Sequence, residues 1–148
     1  MIEQISDYSE GLLSAWFSQV AEHLTHRPTR IIWADEIRGN YGIRGTVRRT
    51  AKGGAVIYLR RGAGWQSTYQ TALHEIAHIK HDYKSVWLEG SARERFPDFI
   101  NKTVADKNAR PMENRAATQA EIWRQWARKK ADTTAIIPQL QALTRWEG

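Results

Sequence analysis

Apolar positions recur at helical spacing through residues 9–26, where Leu12, Leu13, Trp16, Phe17, Val20 and Leu24 mark a stripe and Pro28 closes the segment. This pattern predicts a first helix. Residues 29–34, with Ile31, Ile32 and Trp33 together, read as a short strand. Two more strands are expected over 41–50 and 55–60, joined through Lys52-Gly53-Gly54, a glycine-rich turn that suits a hairpin. The run Ala55-Val56-Ile57-Tyr58-Leu59 is β-branched and aromatic, which favours strand over helix.

Gly62 and Gly64 then break the pattern. A second helix is expected to begin at Ser67 or Thr68, either of which offers a capping hydroxyl, and to run to about Asp82. Residues 83–108, with Gly90, Pro97 and mixed charge, read as loop with short helical pieces. Pro111 suits the first turn of a third helix reaching about Lys130, and a last helix is expected over 136–146 with Pro138 near its start. Helix, strands and then helices make an α+β layout.

Composition narrows the chemistry. The 148 residues fit a single domain, 1–148, with enough chain to bury a core without metal or disulfide staples. There is no cysteine, so disulfides and thiolate metal sites are excluded, and any metal must be held by histidine and carboxylate. No run approaches the roughly 18–20 apolar residues of a membrane span. The first residues lack the basic and apolar regions of a secretion signal. A cytoplasmic protein with no membrane partner is therefore the expectation.

The net charge of +6 raises nucleic acid or an acidic protein as a partner. The cations are spread through residues 44–61 and 124–130, however, and a solvated basic face is the expected role. Trp16 and Trp33 are expected in the core. Trp123 and Trp126 flank Arg124, Arg128, Lys129 and Lys130, an interleaving that can hold single-stranded nucleic acid. Core packing of the rings, with the cations facing water, is the expectation here.

The strongest chemical signal is His74-Glu75-Ile76-Ala77-His78. Each residue of an α-helix turns by about 100°, so His74 and His78 lie about 40° apart on one face and can hold one Zn²⁺. Glu75, about 100° round from His74, can stand beside the metal and take a proton from its water, passing it to the leaving amine. Ala72, Leu73, Ile76 and Ala77 make the rest of this helix apolar. The preceding hairpin suggests an edge strand that could hold an extended peptide.

Two histidines leave a catalytic zinc one protein ligand short. His81 shares the face but lies roughly 10 Å along the axis from His74, too far for all three to ligate one ion. Glu113 is the better third ligand, because it opens a stripe continued by Ala116, Ala117 and Ala120, and small residues let two helices approach. Glu89, Glu94, Asp106 and Glu121 are the remaining options for that ligand. Trp65 and Trp87 bracket the helix and are candidates to line a cleft. Tyr58, Tyr69 and Tyr83 are candidates for placing a hydroxyl near a developing oxyanion.

At these residues the chain resembles the ImmA/IrrE family of zincin-like metallopeptidases, of the gluzincin type. The family pattern is a strand, an H-E-x-x-H helix and a following helix with E-x-x-A-x-x-x-A. Here those are residues 55–59, His74 to His78, and Glu113-x-x-Ala116-x-x-x-Ala120. The resemblance covers roughly residues 31–126, with its specific part in the two helices. It implies a compact zincin-like α+β domain with a small sheet packed on the His-Glu helix and flanking helices. It further implies zinc on His74, His78 and Glu113, with Glu75 as catalytic base.

The implied activity is hydrolysis of a peptide bond in a protein partner, such as a transcriptional repressor. Ala117 stands where Asn or Asp is common in the family, and the connection from His78 to Glu113 is long. The alternative is a non-catalytic zincin-fold regulatory or binding protein associated with nucleic acid. The intact Glu75 favours the enzyme, since a structural metal site needs no base.

Overall fold

The computed structural model describes residues 9–37, 44–82, 87–88, 110–132 and 135–147. The elements are α1 (Glu10–Thr25), β1 (Thr29–Ala34), β2 (Gly45–Arg49), β3 (Ala55–Arg60), α2 (Trp65–Asp82), β4 (Trp87–Leu88), α3 (Arg110–Ala131) and α4 (Ile136–Leu143). The α+β layout read from the pattern is present.

α1 begins where Ser9 accepts a hydrogen bond from the Leu12 amide at 3.0 Å, and ends on His26 in a left-handed conformation. It buries Leu13, Phe17, Val20, Ala21 and Leu24. Leu12 departs from the expected stripe: it is exposed, because it lies about 100° from the line through Leu13, Phe17, Val20 and Leu24. Trp16 and Trp33 are partly buried against the core rather than within it, and the Trp33 indole donates to the Ser14 hydroxyl at 2.7 Å.

The sheet runs in the order β1-β3-β2-β4. β3 is central, parallel to β1 and antiparallel to β2, and its buried Ala55, Val56, Ile57 and Leu59 fit the near-continuous apolar run of an interior strand. The expected hairpin is formed. Gly53 turns it with φ of 87°, and Arg49 pairs with Ala55. β2 is shorter than the run read from the sequence, and residues 41–43 lie outside those described. Its outer edge pairs with β4 at Arg48 and Arg49.

α2 starts at Trp65, earlier than the capping reading required. Ser67 instead accepts from Arg44 at 3.0 Å, and the Thr68 hydroxyl is buried without a partner among the described residues, so neither caps the helix. α2 packs most extensively on α3 and also against the sheet and α1. Leu73, Ile76, Ala77, Ala116, Ala120, Trp123, Leu140 and Leu143 belong to one fully buried cluster shared by α2, α3 and α4. α4 stops at Leu143 rather than continuing through Trp146. The chain turns there, and Trp146 meets Trp126 edge-on at 5.3 Å. Trp123 is fully buried and Arg128, Lys129 and Lys130 face water, as expected of this segment, whereas Trp126 is only partly buried and Arg124 is half-buried in an ion pair with Glu121.

Candidate metal centre

α2 carries His74 and His78 four residues apart, so one turn of helix brings the imidazoles to one face, with ring centroids 4.7 Å apart. The neighbouring and opposite positions, Leu73, Ile76 and Ala77, are fully buried and fix the rotation of the helix. The two Nε2 atoms lie 3.1 Å apart. At most one proton fits between them, whereas a shared cation satisfies both lone pairs at once.

Glu113 closes the group. Pro111 sits in the first turn of α3, and Glu113 follows in that turn, directed at the two imidazoles. Its Oε2 lies 2.9 Å from His74 Nε2 and its Oε1 lies 3.4 Å from His78 Nε2. The reason it reaches is packing. Ala116 and Ala120, one and two turns along the same stripe, are fully buried and allow α3 to approach α2. One donor atom from each of His74, His78 and Glu113 lies within 4.8 Å of the others, a group that can hold a metal ion. His78 is buried, while the Glu113 side chain is 38% exposed, so the centre is open on the α3 side.

Burial pushes the Glu113 carboxyl up, but hydrogen bonds to His74 and His78, with their nearby charge, outweigh it and hold the group at about 2. Glu75 is placed differently. It is buried next to His74 in the chain yet lies outside the donor group. Desolvation raises its pKa, the two imidazoles pull it back, and the Glu113 charge raises it again. The net effect is a pKa above the ordinary carboxylate value, so Glu75 takes up a proton more readily than a solvated carboxylate.

The other sequence candidates separate cleanly. His81 is exposed and meets the Gln119 side-chain oxygen Oε1 at 3.0 Å, outside the donor group. Glu121 pairs with Arg124 instead, at 2.9 and 2.7 Å. Glu89, Glu94, Asp106 and Tyr83 lie outside the described residues. Tyr69 is buried five residues before His74, roughly 140° round the helix, and so faces away from the centre. Tyr58 lies under the Arg48 guanidinium, 4.8 Å from ring centroid to carbon. Trp65 is buried against Tyr69 rather than beside the histidines, and of Trp87 only the strand position is described.

Among the described residues, no helix is long and apolar enough to cross a membrane. Comparison of the chain with protein-family models, with curated proteins and with solved structures finds no match.

Proposed function

We propose that this chain is a zinc-dependent metallopeptidase, zincin-like and of the gluzincin type, that hydrolyses a peptide bond in a protein partner. The observation that carries the reading is a buried carboxylate, Glu75, beside a His74–His78–Glu113 donor triad but not part of it.

Zinc is the ion of choice for this donor set. Two imidazole nitrogens and one carboxylate oxygen, with no thiolate in the chain, match its ligand preferences. Two nitrogens bound at about 2.0–2.1 Å with tetrahedral angles stand roughly 3.3 Å apart. The separations of 2.9, 3.1 and 3.4 Å bracket that spacing. Three protein ligands leave a fourth position open, which is the habit of catalytic rather than structural sites.

When bound, such an ion supplies Lewis acidity, bringing water to a pKa near about 7 and polarising a carbonyl. The residues of the chain do the rest. His74, His78 and Glu113 hold the ion, and Glu113 supplies the negative charge that the two neutral imidazoles lack. Glu75 accepts a proton on its carboxylate and returns it to the leaving amine. A non-catalytic binding protein would leave the buried Glu75 without a purpose, at the desolvation cost of a buried charge. A transcriptional repressor is the proposed partner class, on the strength of the ImmA/IrrE resemblance.

The test is cleavage of an unstructured protein such as casein by zinc-loaded wild type and Glu75→Gln, with metal content measured in both. The expected outcome is cleavage by wild type and its loss in Glu75→Gln with zinc retained. Equal cleavage by the two proteins would overturn the role of Glu75.

A further inference from the structure

A second concave site lies away from the donor triad. The start of α2, the middle of α3 and α4 enclose a cavity of about 370 Å³, whose wall includes Trp65, Tyr69 and Gln70 of α2 and Glu121, Arg124 and Arg128 of α3. That volume falls within the roughly 300–1,000 Å³ typical of small-molecule sites. Gln70 stands four residues before His74, so the cavity begins one turn along α2 from the metal centre.

The wall is aromatic and rich in donors. Trp65 and Tyr69 lie against each other with ring centroids 6.2 Å apart. The Trp65 Nε1 and the Tyr69 hydroxyl are buried without a hydrogen-bond partner among the described residues, on residues only 6% and 1% exposed. Buried donors are seldom left unpaired in folded proteins, and two of them stand on residues of this one wall.

Charge points the same way. Arg124 holds Glu121 through Nε and Nη2 at 2.9 and 2.7 Å, and Gln125 adds a bond at 2.8 Å, so the one carboxylate of the wall is neutralised. With Glu121 neutralised by Arg124, the wall keeps the positive charge of Arg128, and the second amino group of Arg124 remains as a hydrogen-bond donor.

We propose that this cavity binds a small organic anion, a carboxylate carried on a flat apolar body, with Arg124 and Arg128 taking the carboxylate. Trp65 and Tyr69 line the aromatic side of the cavity, against which the apolar body rests. Binding of this kind does not depend on the peptidase reading.

Benzoate is the probe, followed through the Trp65 indole N–H resonance of the full chain. His74→Ala is included so that a carboxylate binding a metal cannot be mistaken for occupancy of the cavity. The expected result is a saturable shift with the same Kd in wild type and His74→Ala. Arg128→Glu, a change at an exposed position, should raise Kd at least about tenfold, and Arg128→Lys should recover part of the loss. Inorganic phosphate should bind more weakly than benzoate, since it leaves the aromatic wall unused. No saturable shift up to about 10 mM, unaltered affinity in Arg128→Glu, loss of binding in His74→Ala, or phosphate binding as tightly as benzoate would each overturn the proposal.

Discussion

The His74–His78–Glu113 donor triad exists only because two helices come close enough for one short carboxylate to reach two imidazoles, and Ala116 is where that approach can be tested. It lies one turn beyond Glu113 on α3, fully buried in the core that α3 shares with α2, while its neighbour Ala117 is exposed. Leucine at position 116 adds three carbons. If room existed, their burial would stabilise the fold by up to about 2.4 kcal/mol, at ~0.8 kcal/mol per methylene. Protein interiors are close-packed, and a fully buried alanine at a helix–helix contact offers no such space. Overpacking should dominate, costing about 1–3 kcal/mol and, for a chain of this size, lowering Tm by about 2–4 °C for each kcal/mol. Relief of the clash moves α3 outward and carries Glu113 away from the Nε2 atoms that now lie 2.9 and 3.4 Å from its oxygens. Ala117→Leu, in contrast, should stay within about 0.5 kcal/mol of wild type. Denaturant unfolding measures the stabilities, and competition with a chelator measures zinc affinity in the same samples. Ala116→Leu is expected to lose both and Ala117→Leu neither. Equal stability and equal zinc affinity in the two variants would refute the argument that small residues set the site.

Gly45→Ala should destabilise the protein by about 1–3 kcal/mol in thermal or denaturant unfolding. A Cβ there would overlap the Thr71 methyl of α2 and stand 3.1 Å from the Tyr58 carbonyl, and β-branched Thr71 has little freedom to move aside. Alkaline pH should weaken the fold through Tyr69, whose ionisation is pushed well above its ordinary pKa of 10.0 by burial, against a smaller opposing pull from Arg124. The unfolded chain releases that proton near 10 and the folded chain keeps it. Stability from this group is therefore full below 10 and falls as pH rises above it. Absorbance titration near 295 nm should leave one of the five tyrosines un-ionised until the chain unfolds. Ionisation of all five with the fold intact would contradict the burial of Tyr69.

Much of the architecture was readable because each signal was local. β1 and β3 occupy the ranges expected of them, since a β-branched run between turn residues has few other uses. The pairing of His74 with His78 follows from helix geometry alone, and Glu113 was singled out by the alanines behind it. Three features depart from the sequence pattern, two of them for a tertiary reason. The start of α2 at Trp65 was missed because Ser67 spends its hydroxyl on Arg44, a contact from a distant segment. Leu12 counted as stripe because it is apolar, yet the wheel places it beyond the buried arc. The cavity at Trp65 and Arg128 left only a faint sign, two pairs at helical spacing, Trp65 with Tyr69 and Arg124 with Arg128, on helices whose crossing no local pattern describes.

His74, His78 and Glu113 are the proposed zinc ligands, and His81 stands outside the group. Zinc stoichiometry of wild type, His74→Ala, Glu113→Ala and His81→Ala, measured by elemental analysis after dialysis against a weak chelator, tests this assignment directly. About one equivalent is expected in wild type and in His81→Ala, with little in His74→Ala or Glu113→Ala. A wild type that holds no zinc, or a Glu113→Ala that keeps it while His81→Ala loses it, would contradict the account.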